Sequence, residues 1–228
     1  MLEFVSKDAR TVVYKTDDPR ELSDKKLASL DWVKTVPRLK VLLPGKLRGV
    51  HEILRRSISA KYTVRVVYSM QTKDLQVPKV VCPKRAVKLV EYADPQAAKS
   101  LFINTQSRFF LAPWSERIDH AYLTSLAEFL KNLLPQTKSA RIEINGQSVG
   151  LVTVYKQDEG TDQIAWIWLE SSLSDQERST AHYRIIRWLR ASKAKKIVSV
   201  VHPFNIRSSR FFEALGFYPT HIWIARFV

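Results

Sequence analysis

Residues 205–217 read NIRSSRFFEALGF. Asparagine is a preferred helix N-cap, because its side-chain oxygen accepts a backbone N–H of the first turn. Gly216 suits the left-handed residue that ends a helix, and Phe217 behind it is apolar enough to drop back into a core. A short helix is therefore predicted between Asn205 and Gly216. Working outward, KKIVSVVHP at 195–203 is an apolar run of strand length, and HIWIARFV at 221–228 is another. Strand, helix and strand thus close the chain.

Further upstream the alternation continues. AVKLVEYA (86–93) reads as a strand and PQAAKSLFINTQ (95–106) as a helix. DHAYLTSLAEFLKNLL (119–134) carries apolar residues at helical spacing. ARIEINGQSVGLVTVY (140–155) reads as two strands about Asn145-Gly146, a pair that tolerates the positive φ of a tight hairpin turn. QIAWIWLESS (163–172) is a third strand, apolar enough to be covered on both faces, and STAHYRIIRWLRAS (179–192) is a helix. The order from residue 86 is β-α-α-β-β-β-α-β-α-β. An antiparallel meander leads into a strand-helix-strand unit, so the expected fold is α/β, layered, with a mixed and mostly antiparallel sheet flanked by helices.

The segment VPKVVCPKR (77–85), with two prolines, is the expected boundary. It divides the chain into a basic N-terminal extension, 1–85, and a domain of residues 86–228. Within the extension, DDPRELSDKKLASLDWV (17–33) and GKLRGVHEILRRSI (45–58) read as helices, and KYTVRVVYSM (61–70) as a strand.

Composition excludes several classes. With 228 residues, 45% of them apolar and 11% aromatic, the chain can bury a core. It has no run of the ~18 apolar residues that a membrane helix needs. The N-terminus lacks a signal pattern, and Cys82 is a single cysteine, so an internal disulfide and a cysteine metal cluster are excluded. A reduced, cytoplasmic setting follows. His51, His120, His182, His202 and His221 show no metal-ligand spacing, and no metal is expected.

The net charge of +15 is unevenly placed. Between residues 32 and 90 fourteen Lys or Arg face two acids, Glu52 and Asp74. Residues 178–212 hold nine more cations and no acid. Such runs favour an anionic partner: an acidic protein, an acyl carrier protein, nucleic acid, a phosphorylated cofactor or an anionic membrane.

The element order and NIRSSRFFEALGF together resemble the GNAT superfamily of acyl-CoA-dependent N-acyltransferases, over roughly residues 86–228. Asn205, Ser208, Glu213, Gly216 and Phe217 match positions of that family's penultimate helix. The resemblance implies acetyl-CoA or another acyl-CoA as acyl donor. Its pyrophosphate would bind where the fourth strand meets the next helix, on backbone N–H groups at a helix start. By spacing this places Gln176, Arg178, Ser179, Thr180 and Ala181 at the pyrophosphate, with Leu169 along the pantetheine and Asn205 orienting the last loop. Ser179 stands where the family has glycine. Phe212 stands where it often has the tyrosine that protonates the departing thiolate, and a phenyl ring cannot donate a proton.

An amine needs a base before it attacks a thioester. Glu170 at the end of QIAWIWLE, His202 after KKIVSVV and Glu143 on ARIEING are the candidates. The family usually ends in two strands after Gly-Phe, whereas only eleven residues follow Phe217. The sheet then lacks its final strand or borrows one such as KYTVRVVYSM. Two functions are expected on these grounds. One is N-acyl transfer from acyl-CoA, or from an acyl carrier protein, to an amine. The other is a catalytically degenerate module of the same fold that binds nucleic acid or an acidic protein.

Overall fold

In the computed structural model the described residues are 1–30, 32, 36–43, 47–59, 62–75, 77, 87–110, 128 and 132–226. The elements run β1 (Glu3–Lys7), β2 (Thr11–Lys15), α1 (Asp24–Ser29), β3 (Arg38–Leu42), α2 (Val50–Ser57) and β4 (Tyr62–Gln71). There follow β5 (Val87–Glu91), α3 (Lys99–Phe110), β6 (Thr137–Ile144), β7 (Gln147–Asp158) and β8 (Thr161–Leu169). The chain closes with α4 (Asp175–Arg190), β9 (Lys196–Val201), α5 (Ile206–Ala214) and β10 (Tyr218–Arg226). The fold is α/β, with mixed strand pairing and flanking helices.

The described residues form two compact units. One comprises Met1–Ser69 and Val200–Val228, so it draws on both ends of the chain. Its strand order is β1-β2-β3-β10-β4. Only β2 and β3 run parallel; β10 lies antiparallel to both β3 and β4. KYTVRVVYSM therefore lies beside the last strand of the chain, paired from Tyr62↔Arg226 to Ser69↔Tyr218. The pairing buries Val64, Val66, Ile222 and Ile224 with Leu39 and Val41 of β3. At roughly 1.5–3 kcal/mol per fully buried aliphatic side chain, this layer is a main source of the unit's stability.

The other unit comprises Met70–Ala112 and His120–Ser199, with strand order β9-β8-β7-β6-β5. Here β5 to β8 form an antiparallel meander and β9 is parallel to β8. The β6–β7 turn has Asn145 at φ 53° and Gly146 at φ 79°, the two positive values that the Asn-Gly pair predicts. One side of the meander packs on Phe102 of α3 with Leu134 and Leu151; Ala165, Trp166 and Trp168 of β8 join that cluster. Helix α4 turns Ala181, Ile185, Ile186 and Leu189 inward and Arg184, Arg187 and Arg190 outward, the stripe its sequence spacing gives.

Several local expectations need correction. Within the expected helix 17–33, the described residues 17–30 form a turn, Pro19–Glu21, capped by Asp18, and then α1 capped by Ser23. Helix α4 starts at Asp175, four residues before STAHY, because Ser174 and Glu177 form a capping box. Strand β8 is mostly half-buried rather than covered on both faces. The expected helix 119–134 lies almost wholly outside the described residues, as do most of the 77–85 boundary and Cys82.

Candidate functional site

Strand β8 and helix α4 bring most of the predicted cofactor residues together. The parallel register of β8 with β9 runs only from Thr161↔Lys196 to Ile164↔Ser199. Strand β8 continues to Leu169, still paired with β7 on its other side. Its pairing with β7 steps from Trp166↔Thr153 to Ile164↔Val154, so Ala165 is an extra residue, a bulge where the β9 register ends. A bulge bends the strand and turns backbone groups out of the ladder. The carboxyl end of a parallel pair is also where open α/β sheets receive ligands.

Leu169 pairs with Gly150 of β7, and the backbone Glu170 N–H donates to Val149 O at 2.9 Å. Gly150 has a packing reason. A Cβ there would meet Leu169 Cδ2 at 2.5 Å, the Trp168 carbonyl oxygen at 3.0 Å and Ile142 Cβ at 3.1 Å. The half-buried Glu170 thus sits at the end of a strand held from the β7 side.

The turn from Glu170 into α4 is braced by Arg178. Its Nη2 lies 3.4 Å from the carbonyl oxygen of Glu170, 3.1 Å from that of Ser171 and 3.2 Å from that of Leu173. The Ser174 hydroxyl accepts the Glu177 N–H, and Glu177 Oε2 in return accepts the Ser174 N–H at 3.0 Å. Gln176 and Ser179 are exposed and one turn apart. Thr180 and Ala181 are buried, and the Thr180 hydroxyl donates to Gln176 O at 2.8 Å. The stretch expected to be a phosphate loop is therefore the first two turns of a helix. Its own acids, Asp175 and Glu177, lie at the positive end of the dipole. Behind it, burial and then the charge of Arg178 push His182 down to about 4.

Glu143 lies on β6 and forms an ion pair with Arg141 of the same strand, whose guanidinium also covers the Tyr92 ring at 5.2 Å. The two side chains share a face because they are two residues apart on a strand.

In the other unit His202 follows β9. Its ring stacks on Phe204 at 5.4 Å, and its Nδ1 accepts the Phe204 N–H at 3.3 Å. Accepting there requires the neutral tautomer with its proton on Nε2. Burial, then the charge of Arg65, pushes the ring down to about 4. Asn205 is the N-cap of α5: its side chain accepts the Ser208 N–H at 3.2 Å, and its own N–H donates to His202 O.

Sequence reasoning missed a cluster beside these residues. Glu213 Oε1 accepts the Tyr68 hydroxyl at 3.3 Å and lies 3.3 Å from His51 Nδ1. Tyr68 is fully buried, which pushes its phenol up, and its ring stacks on Phe212. His51 is 2% exposed and its Nε2 has no hydrogen-bond partner among the described residues. No local spacing announces this cluster, since its members come from α2, β4 and α5. A cavity of about 420 Å³ lies in the same unit, lined by Lys25, Arg55, Arg56 and Phe204 among others. Among the described residues no group of three or more His, Cys, Asp or Glu is placed to hold a metal ion. No helix among them is long and apolar enough to cross a membrane.

No protein-family model matches the chain, and no curated protein sequence matches it. Solved structures do. A functionally unknown conserved protein from Staphylococcus epidermidis is 13% identical with a TM-score of 0.51, covering 100% of this chain and 95% of its own. A conserved protein of unknown function from Bacteroides thetaiotaomicron is 11% identical with a TM-score of 0.50, covering 95% of this chain and 79% of its own. A GCN5-related N-acetyltransferase from Kribbella flavida is 12% identical with a TM-score of 0.47, covering 95% of this chain and 80% of its own. At these identities the likeness concerns the fold alone, which this chain shares with the Staphylococcus epidermidis and Bacteroides thetaiotaomicron proteins.

Proposed function

We propose that the chain is an N-acyltransferase that moves an acyl group from acyl-CoA to an amine. The observation that carries this reading is the early end of the β8–β9 register. Beyond Ile164, β8 runs on past a bulge with its far edge clear of that register, and a helix starts six residues after Leu169. An extended amide-bearing arm such as pantetheine suits an edge of this kind, because its amides can pair with backbone as a further strand would.

In this reading Leu169 and the residues before it hold the arm. Gln176 and Ser179 present side chains to the pyrophosphate from the first turns of α4, and Arg178 keeps the 170–174 turn in shape. Asn205 orients the loop after β9. The amine nitrogen bonds to the thioester carbon, the C–S bond breaks, and the sulfur leaves as thiolate. Glu170 accepts the amine proton, directly or through water. It is preferred to Glu143, which Arg141 holds, and to His202, whose accepting nitrogen is already engaged. Phe212 supplies no proton to the thiolate, so the sulfur leaves as the anion or takes its proton from water. In the other unit, Lys25, Arg55 and Arg56 around the 420 Å³ cavity suit an acidic partner.

Calorimetric titration with acetyl-CoA, a long-chain acyl-CoA and free CoA tests this. Saturable binding that weakens at least about tenfold in Gln176→Ala/Ser179→Asp is expected, roughly 1.4 kcal/mol. Undiminished binding in that variant would overturn the assignment of the pyrophosphate site.

One observation favours the second reading, a binding module that has lost catalysis. At the start of α4 the Ser174–Glu177 box takes up the Glu177 N–H, and the first turn carries two acids, which opposes an anion there. Absence of binding by all three CoA ligands would decide for it.

A further inference from the structure

The two basic runs of the sequence, 32–90 and 178–212, are far apart along the chain. The structure brings one residue of the first and two of the second to one place. Lys88 lies on β5, at the edge of its unit's strand order; Arg184 and Arg187 lie on the outer face of α4, three residues apart. With Leu89, Val90 and Trp188 they line an open cavity of about 400 Å³.

The chemistry of that lining is specific. Lys88, Arg184 and Arg187 are exposed, and no ion pair holds any of them among the described residues. The neighbouring acid, Glu91, accepts the Trp188 Nε1–H at 2.6 Å. That bond fixes the indole by its edge. Arg187 is held over the Tyr183 ring at 5.8 Å, which sets its direction. Two arginines and a fixed indole stand over Leu89 in one cavity, and Lys88 and Val90, whose side chains leave the other face of the strand, complete its lining. Inorganic phosphate would use only the cations. A nucleotide unit uses all of it, its phosphate on the cations and its base against the indole and aliphatic wall. Because the cavity is open, and Arg190 continues the α4 stripe, the backbone can enter and leave.

We propose that this groove between β5 and α4 binds single-stranded nucleic acid, with Arg184 and Arg187 on the phosphates and Trp188 against a base. The site is separate from the β8 edge and stands whether or not that edge takes acyl-CoA.

Fluorescence anisotropy of labelled 15-mer oligo(U) and oligo(dT), at two or more salt concentrations, tests it on the full chain. Wild type should bind at low salt and weaken log-linearly as salt rises. Arg184→Glu/Arg187→Glu should lose at least about tenfold in affinity. Arg184→Ala/Arg187→Ala should lower the salt slope by about 1.4, at about 0.7 per single-strand phosphate contact. Trp188→Phe, which keeps a stacking ring, should bind better than Trp188→Ala at an unchanged slope. Because Arg184 and Arg187 are exposed, their alanine variant should melt as wild type does. No binding by wild type, equal binding by the charge-reversed variant, or an equally large loss on reversing Arg55 and Arg56 instead would each overturn the proposal. Complete displacement by stoichiometric AMP would overturn its polymer form.

Discussion

Glu213 shows how much a single side chain can carry in this protein. Its Oε1 serves Tyr68 and His51, both buried. Removing the carboxylate leaves buried donors unmet, which costs more than the bonds themselves contribute. Glu213→Ala should destabilise the protein by about 2–4 kcal/mol, and Tyr68→Phe by about 1 kcal/mol, in urea unfolding. Equal, small losses in both would remove Glu213 from the centre of the cluster. The sequence marked Glu213 only by its place before Gly216; nothing local showed that α2 and β4 would reach it.

Two half-buried histidines set a pH dependence with a definite sign. His182 and His202 are pushed from 6.5 down to about 4 in the folded chain. The unfolded chain therefore binds more protons between those values, so stability is full above about 6.5 and is lost progressively as pH falls towards 4. Denaturant midpoints measured across that window should fall on acidification. His202→Asn, which keeps an acceptor for the Phe204 N–H but does not titrate, should fall less. An unchanged pH profile in that variant would show that His202 does not contribute.

At the scale of elements, β7 and β8 fix the geometry of the candidate site through Gly150. With a Cβ, this residue would press on Leu169 Cδ2 at 2.5 Å and on the Trp168 carbonyl at 3.0 Å. The leucine tip can turn aside, whereas the backbone cannot. Gly150→Ala should cost about 1–3 kcal/mol of stability and weaken acyl-CoA binding by displacing the end of β8. A variant as stable as wild type, with the same affinity, would show that the strand end tolerates movement. The elements were largely legible in the sequence, because alternation, helical stripes, Asn145-Gly146 and the Asn205–Gly216 caps are local signals. The start of α4 was less legible, because the Ser174–Glu177 capping box opens the helix at Asp175, inside the stretch whose spacing resembles a phosphate loop. The bulge at Ala165 has no local signature, since it is defined by what β7 and β9 do beside it.

On the scale of the whole molecule, the chain's ends meet in one unit. Strand β4 pairs along the length of β10, and β3 covers its other side. A chain beginning at residue 72 lacks both neighbours of β10 and leaves Ile222 and Ile224 without their layer. It should show no cooperative thermal transition by circular dichroism, whereas a sharp transition would mean that residues 72–228 carry a sufficient core. The sequence raised this pairing through the shortness of its tail, but long-range strand partners cannot be read from periodicity. The GNAT resemblance supplied the region of the candidate site, and Ser179 and Phe212 mark where this chain departs from it.

In the proposed function, β8 beyond Ile164 and the first turns of α4 hold acyl-CoA. Hydrogen exchange followed by mass spectrometry, with and without saturating acetyl-CoA, tests it most directly. The account predicts slower exchange in peptides spanning Ala165 to Ser179, with peptides of β1 and β2 unchanged. Binding that leaves Ala165–Ser179 unprotected, or no change anywhere in the chain, would contradict it.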